Sequence, residues 1–316
     1  MYLRTTTAAT NNSMLDYIMN NQSKYNELSA QASSQKKLNT PSDNPTDAIS
    51  VLNINKNLSQ LNGYVTNMSQ SQNELNVLDN SLASLTSNLQ RVHDLAVQAS
   101  NETNTPATLN NIKTEIDQII QSVKETGNTQ YNGSYIFAGT NVGQVPFEDG
   151  ADGGITYTGT PQDKDYQRYI QISDKVQTAI NVSGDKLLGS YDADASGTPP
   201  VPTGSGIFKT LYDLSNALGK SDFTAIRSSL DKVQTDIQNT SNERTNFASI
   251  TNRFDMTKTS IKANVTQLTS FKSSLEDVDL ATAMTNLANQ ELALKATMAV
   301  AAKTMQSSSL LDYTAV

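Results

Sequence analysis

Fourteen of the 15 glycines in this chain lie between Gly127 and Gly219, and the remaining one is Gly63. Glycine weakens helix interiors because it gives up the most backbone freedom there, and it suits turns because it reaches conformations other residues avoid. The split therefore predicts two glycine-poor helical arms around a turn-rich middle. Five of the eight prolines, from Pro146 to Pro202, fall in the same middle. The expected fold class is mainly α with an inserted β-rich domain.

The arms carry apolar residues at alternating spacings of three and four, which keeps one stripe on one helix face. In the first arm Met14, Ile18, Tyr25, Leu28 and Ala32 hold the pattern, and the polar Asn21 occupies one position. A second stripe runs through Leu58, Leu61, Val65, Met68 and Leu75. After one register slip it continues through Leu78, Leu82, Leu85, Leu89, Val92, Ala96 and Ala99. A third comprises Leu109, Ile112, Ile116, Ile119 and Val123, and a fourth begins at Phe223 and reaches Leu275. The last arm reads Met284, Leu287, Leu294, Met298, Ala301 and Met305, with Glu291 at one position, and ends at Leu310-Leu311-Asp312-Tyr313.

Local signals mark the boundaries. Asn44 before Pro45 is a cap followed by a residue suited to the first helical turn, and Asp47 sits favourably near the dipole. Thr105 before Pro106 repeats the signal, and Gly127 is placed to end that helix. In the middle, residues 155–158 and 169–172 read as strands.

The composition excludes several functions. A net charge of −8 and a pI near 4.7, with no Lys/Arg-rich stripe, repel a phosphate backbone. Nucleic acid is not an expected partner. Without cysteine there is no disulfide framework and no thiolate chemistry. The opening residues lack the apolar core of a cleavable secretory signal, and Asn289, Gln290, Glu291 and Lys295 interrupt the most apolar C-terminal stretch, so no membrane span is expected. The single histidine, His93, has no nucleophile or ligand set in its sequence neighbourhood. Asp192, Asp194, Ser196 and Gly197 resemble the start of a calcium loop. Thr203 stands where the bidentate glutamate belongs, and Pro199-Pro200 blocks the following helix, so an ordinary acidic turn is expected. No catalytic, cofactor-binding or metal-ligating residue is assigned.

The terminal arms are short, polar at several stripe positions and far apart in sequence. Ordering them in an isolated monomer returns little against the entropy lost. They are expected to complete their folding on assembly, with Met14, Ile18, Tyr25, Leu28, Met284, Leu287, Leu294, Met298 and Met305 as the assembly interface.

Four segments then carry a resemblance. Ser33-Ser34-Gln35-Lys36-Lys37-Leu38-Asn39-Thr40-Pro41-Ser42-Asp43-Asn44-Pro45, the stretches from Leu89 to Asn101 and from Gly133 to Gly139, and the run from Leu275 to Ala281 are similar to the flagellin superfamily, and within it to the hook-associated proteins. Gln35 departs from the pattern, which usually has Gly there, and so does the Met1-Tyr-Leu opening.

The resemblance implies a flagellin-like fold whose terminal helices form a coiled coil above a helical bundle. The expected domains are 1–45 with 280–316 for assembly, 46–138 with 206–279 for the bundle, and 139–205 as a β-rich outer domain. It further implies a structural role joining hook to filament and type III export without a cleaved signal. The implied location is the extracellular flagellum, and the implied partners are copies of itself, the first hook-associated protein, flagellin and an export chaperone. The chaperone is implied to contact Leu287, Leu294, Met298, Met305 and Leu310. Flagellin itself, the filament subunit, is the alternative.

Overall fold

The computed structural model describes residues 7–150, 153–161, 164–192 and 203–313. Among these residues seven helices run α1 (Thr7–Ser34), α2 (Pro45–Ala99), α3 (Pro106–Gly127), α4 (Gly184–Leu187), α5 (Gly206–Gly219), α6 (Phe223–Glu276) and α7 (Leu280–Tyr313). Eight short strands, β1 (Gln130–Tyr131), β2 (Ser134–Tyr135), β3 (Phe147–Asp149), β4 (Ile155–Tyr157), β5 (Tyr169–Ser173), β6 (Val176–Ala179), β7 (Ser190–Asp192) and β8 (Thr203–Ser205), fill the middle. The chain is mainly α with a β-rich insert, as its glycine distribution requires. The calcium-like fragment at Asp194, Ser196 and Gly197 lies outside the described residues.

The chain divides into two compact units, Met1–Gln60 with Lys262–Val316, and Leu61–Ile261. The divisions fall inside α2 and α6, whereas the sequence-derived boundaries at 45 and 280 fall at helix junctions.

In the second unit the helices bury one continuous core. The register slip expected in α2 is absent. Tyr64, Met68, Ser71, Leu75, Leu78, Leu82, Leu85, Leu89, Val92, Ala96 and Ala99 are all buried, at spacings of three and four throughout. Tyr64 takes the position assigned to Val65, and Ser71 fills the gap the apolar stripe leaves. On α6, Ile226, Val233, Thr240, Phe247, Phe254 and Ile261 recur every seven residues and are buried. The polar member, Thr240, donates its hydroxyl to the Asp236 carbonyl at 2.8 Å, so burial leaves no hydroxyl unpaired. Arg244 joins α6 to α2 through Asp79, at 2.9 and 3.3 Å.

The caps follow the sequence. Asn44 Oδ1 accepts from the main-chain nitrogens of Thr46 and Asp47 at 3.2 Å, and Thr105 Oγ1 accepts from Thr108 at 3.2 Å. At the end of α3, Gly127 has a second role: a Cβ there would lie 2.7 Å from the Phe147 ring. The Asn128 carboxamide accepts from Phe147 N at 3.0 Å and donates to Phe147 O at 2.9 Å. Phe147 in turn packs on Tyr157 and Phe208, with ring centres 5.2 and 5.4 Å apart, which ties the sheet to α5.

The strands form antiparallel sheets ordered β1-β2, β3-β4-β7-β8 and β5-β6. The β1-β2 turn is Asn132-Gly133, with φ of 49° and 77°, the pairing that a twist-matched two-residue hairpin favours. The β7-β8 hairpin is closed at its base by two glycines in the left-handed region, Gly189 (φ 70°) and Gly206 (φ 62°). Their backbones approach so closely that a Cβ on Gly189 would lie 1.9 Å from Ser205 O. Phe208 N then donates to Leu188 O at 2.9 Å, just past the hairpin.

Candidate assembly surface

The first unit is built on α1 and α7, which run antiparallel. Their junction is a short backbone ladder: Lys37 N donates to Glu276 O at 2.8 Å and Val278 N to Gln35 O at 3.1 Å, flanking a bridge between Lys36 and Asp277. Lys36 also pairs with the Glu276 carboxylate, which holds its ammonium above the ordinary lysine range. Lys272 reaches the other Glu276 oxygen at 3.6 Å. Gln35 makes this turn with φ of 59°, a left-handed conformation at the position where the resemblance expects glycine. The sequence departure is thus a substitution at a site whose geometry suits glycine.

Asp279 starts α7. Its carboxylate accepts from Ala281 N at 3.0 Å and from the Thr282 hydroxyl at 2.9 Å, and these bonds hold it below the usual carboxylate range. Before α2, Asp43 is held low in the same way by the Thr40 hydroxyl and by the main-chain nitrogens of Thr40 and Asn39.

The face that α7 turns to α1 follows Ala283, Leu287, Gln290, Leu294, Thr297 and Ala301, again at three-four spacing. Ala283, Leu294 and Ala301 are buried, and the other three are half-buried. The sequence stripe shares Leu287, Leu294 and Ala301 with this face. It differs at the alternate positions, where Met284, Glu291 and Met298 are replaced by their neighbours Ala283, Gln290 and Thr297. The cause is Asn21. Its side chain donates to Thr297 Oγ1 at 2.8 Å, and Gln290 Nε2 donates at 3.1 Å to both its main-chain and side-chain oxygens. Polar groups that satisfy one another occupy positions an apolar count assigns to methionine.

On α1, Met14, Ile18, Tyr25 and Leu28 are half-buried, as a stripe facing a partner helix should be. Met284 and Met298 are exposed at 54% and 44%. The side chains of Met305 and Leu310 lie outside the described ones. The assembly residues named from sequence therefore divide into those engaged between α1 and α7 and those facing outward.

Apolar periodicity alone passed over further outward residues. Leu15, Tyr17 and Met19 on α1, and Leu292 and Val300 on α7, are 47–65% exposed. Leu15 and Met19, four residues apart, form a second short apolar line that the longer stripe obscures. Most of the exposed large apolar side chains among the described residues lie on this unit, although Val97, Tyr169, Val176 and Met256 of the second unit are exposed as well.

In the second unit His93 is partly buried beside Asp94, 3.9 Å away. Among the described residues no group of three or more potential ligands could hold a metal, and no helix is long and apolar enough to cross a membrane.

Known proteins share this arrangement. Residues 6–142 match the bacterial flagellin N-terminal helical region, and residues 230–314 match the C-terminal helical region. The phase 2 flagellin of Salmonella abortus-equi is 31% identical over 134 residues, covering 42% of this chain and 26% of that protein. Flagellin of Escherichia coli O127:H6 is 25% identical over 223 residues, covering 68% of this chain and 40% of that protein. The aligned part thus spans between a quarter and two fifths of these curated relatives.

Among solved structures, Bacillus cereus FlgL is 26% identical with a TM-score of 0.54, covering 70% of this chain and 99% of that one. A flagellar hook-associated protein from Vibrio parahaemolyticus, at 18% identity and a TM-score of 0.63, covers 74% and 100% and shares the fold. With its two ends matching the two flagellin helical regions and its fold shared with these structures, the chain belongs to the flagellin family.

Proposed function

We propose that this chain is a non-catalytic structural subunit of the bacterial flagellum that joins hook to filament and polymerises through its terminal helices. The observation that carries the reading is the outward apolar set on the α1/α7 unit, Leu15, Tyr17, Met19, Met284, Leu292, Met298 and Val300. An isolated subunit gains nothing from exposing them, whereas neighbouring copies bury them at about 25 cal/mol per Å². The likeness to Bacillus cereus FlgL, which spans nearly all of that protein, supports the junction role.

In this reading the outer faces of α1 and α7 meet adjacent copies, and the half-buried Met14, Ile18, Tyr25 and Leu28 and the buried Leu294 keep the helix pair in register. Leu287, Leu294, Met298, Met305 and Leu310 are the contacts of an export chaperone before assembly. The remaining partners are the first hook-associated protein on the hook side and flagellin on the filament side. The assembled location is outside the cell.

The deciding experiment is electron microscopy of a strain lacking the gene. Hooks without filaments, together with flagellin released into the medium, are expected. Normal filaments on that strain would overturn the junction role. A filament-subunit role is the second reading, favoured by the match of both ends to the flagellin helical regions. Copy number on isolated flagella separates the two, since a filament subunit dominates the mass and a junction subunit is scarce.

A further inference from the structure

Part of the outward apolar surface of the α1/α7 unit is made of thioethers. Met19 on α1 and Met284 and Met298 on α7 are all exposed. Met284 and Met298 stand fourteen residues apart, two heptads, so both fall on one line of α7. Asn21 donates to Thr297 across the helix pair at 2.8 Å, and Met19 and Met298, two and one residues from that bond, lie at nearly the same level along it. In the second unit Met256 on α6 is 75% exposed, whereas Met68 of the α2 core is 0% exposed.

The chain has eight methionines and neither cysteine nor tryptophan, so its peroxide-reactive side chains are thioethers. A thioether has no proton to lose, and access to its sulfur therefore sets the rate. The sulfur lone pair attacks one peroxide oxygen and the O–O bond breaks. The departing hydroxide takes the proton of the transferred oxygen and leaves as water. Sulfur is oxidised by two electrons and the peroxide is reduced by two. The product is a sulfoxide, a polar group that accepts hydrogen bonds on a side chain that was apolar.

We propose that Met19, Met284 and Met298 are a reversible oxidation site on the assembly surface: peroxide turns the three thioethers into sulfoxides, the subunit stays folded, and polymerisation stops until they are reduced. This inference rests on the assembly reading above and adds its regulation. A copy that buries a sulfoxide must strip water from its oxygen, and a surface built largely of leucine, valine and methionine returns few donors. The monomer is spared because the α1/α7 seam is made by other residues, Ala283, Leu287, Gln290, Leu294, Thr297 and Ala301. Burial shields Met68, so the surface is oxidised while the core is not. A dithiol reverses the change through a sulfoxide reductase, the oxygen leaving as water as the thiols close to a disulfide.

The test uses the full-length protein, hydrogen peroxide and light scattering. After brief treatment, peptide mass spectrometry should find one added oxygen at Met19, Met284, Met298 and Met256, with Met68 unmodified. The treated monomer should melt as the untreated one does, and its polymerisation should fall by roughly tenfold or more. The two methionine sulfoxide reductases, one for each epimer, with dithiothreitol should restore it. A variant carrying Met19→Leu, Met284→Leu and Met298→Leu keeps the surface apolar. It should polymerise untreated and continue to do so after peroxide, although Met256 is oxidised in it. The assignment is overturned if the three thioethers stay unmodified, if wild type carrying the three sulfoxides polymerises unimpaired, or if the treated variant loses polymerisation as wild type does. Each of these outcomes leaves the assembly reading standing. Untreated wild type that does not polymerise would instead overturn the assembly reading and this inference with it.

Discussion

Gln290 on α7 donates its carboxamide to both oxygens of Asn21 on α1, each at 3.1 Å. Since Asn21 also donates to Thr297, one polar residue bridges two successive turns of α7. Replacing it by alanine removes the side-chain oxygen that Gln290 reaches and the amide donated to Thr297 Oγ1, while the main-chain oxygen of residue 21 still accepts from Gln290 and Thr297 still donates to Ala293 O. Asn21→Ala should destabilise the helix pair by roughly 1–3 kcal/mol. Amide hydrogen exchange along α7 would reveal the loss as faster exchange around Gln290, with the helices of the second unit unaffected.

The outward residues should behave in the opposite way. Met19→Glu and Leu292→Lys touch little within the monomer, so its melting should change by no more than about 0.5 kcal/mol. Polymerisation followed by light scattering should nevertheless be lost. Leu294→Ala, which removes a buried side chain, should instead cost the monomer roughly 2–4 kcal/mol.

Gln35 occupies a left-handed conformation that L side chains other than Asn and Asp adopt at a cost. Gln35→Gly should therefore raise stability by roughly 0.5–1 kcal/mol, net of the extra freedom glycine gives the unfolded chain. Gln35→Val should lower it, since β-branching crowds this backbone conformation further. Chemical denaturation of the three proteins side by side would check the order.

Asp236 gives a pH dependence of defined sign. Burial raises its carboxyl from 3.8 to about 6 in the folded protein, so the folded state binds the proton more tightly than the unfolded chain does. This group's penalty is absent below pH 4, grows as pH rises from about 4 to about 6, and is constant above that. Asp236→Asn should remove the dependence and stabilise the protein at pH 7.5 by roughly 1–2 kcal/mol, a figure reduced for partial solvent access. Melting curves across pH 4 to 8 would show the two proteins converging at the acid end.

Gly127→Ala should cost roughly 1–3 kcal/mol, because the new methyl would press on the Phe147 ring 2.7 Å away. Phe147 links β3 to α3 and α5, so the loss should reduce near-ultraviolet dichroism from the aromatic cluster while leaving helix content intact.

Much of this architecture is legible in the residues, for reasons that differ by element. Asn44 before Pro45 and Thr105 before Pro106 mark helix starts because caps are local chemistry, needing only neighbours in sequence. The strands at residues 155–157 and 169–173 carry enough alternation to be placed. In sequence, the stripes on α2 and α7 are marked only by their apolar members. Gln290 and Thr297 hold seam positions because Asn21 reaches both from the other helix, Tyr64 meets Gln171 of β5, and Thr240 satisfies its hydroxyl on the Asp236 carbonyl of its own helix; partners from distant elements become visible only once those elements are brought together. The strands β3, β7 and β8, two or three residues of whose pairing are set by distant partners, had no periodicity long enough to read.

The glycine stitch at the foot of the β7-β8 hairpin has a practical consequence. Because Gly189 and Gly206 hold the feet of β7 and β8 against each other where α5 begins, a side chain added at either one is felt by the strand pair and the helix together. Gly189→Ala should thus loosen the first turn of α5 along with the hairpin base, which makes this pair of glycines a coupling joint between sheet and helix.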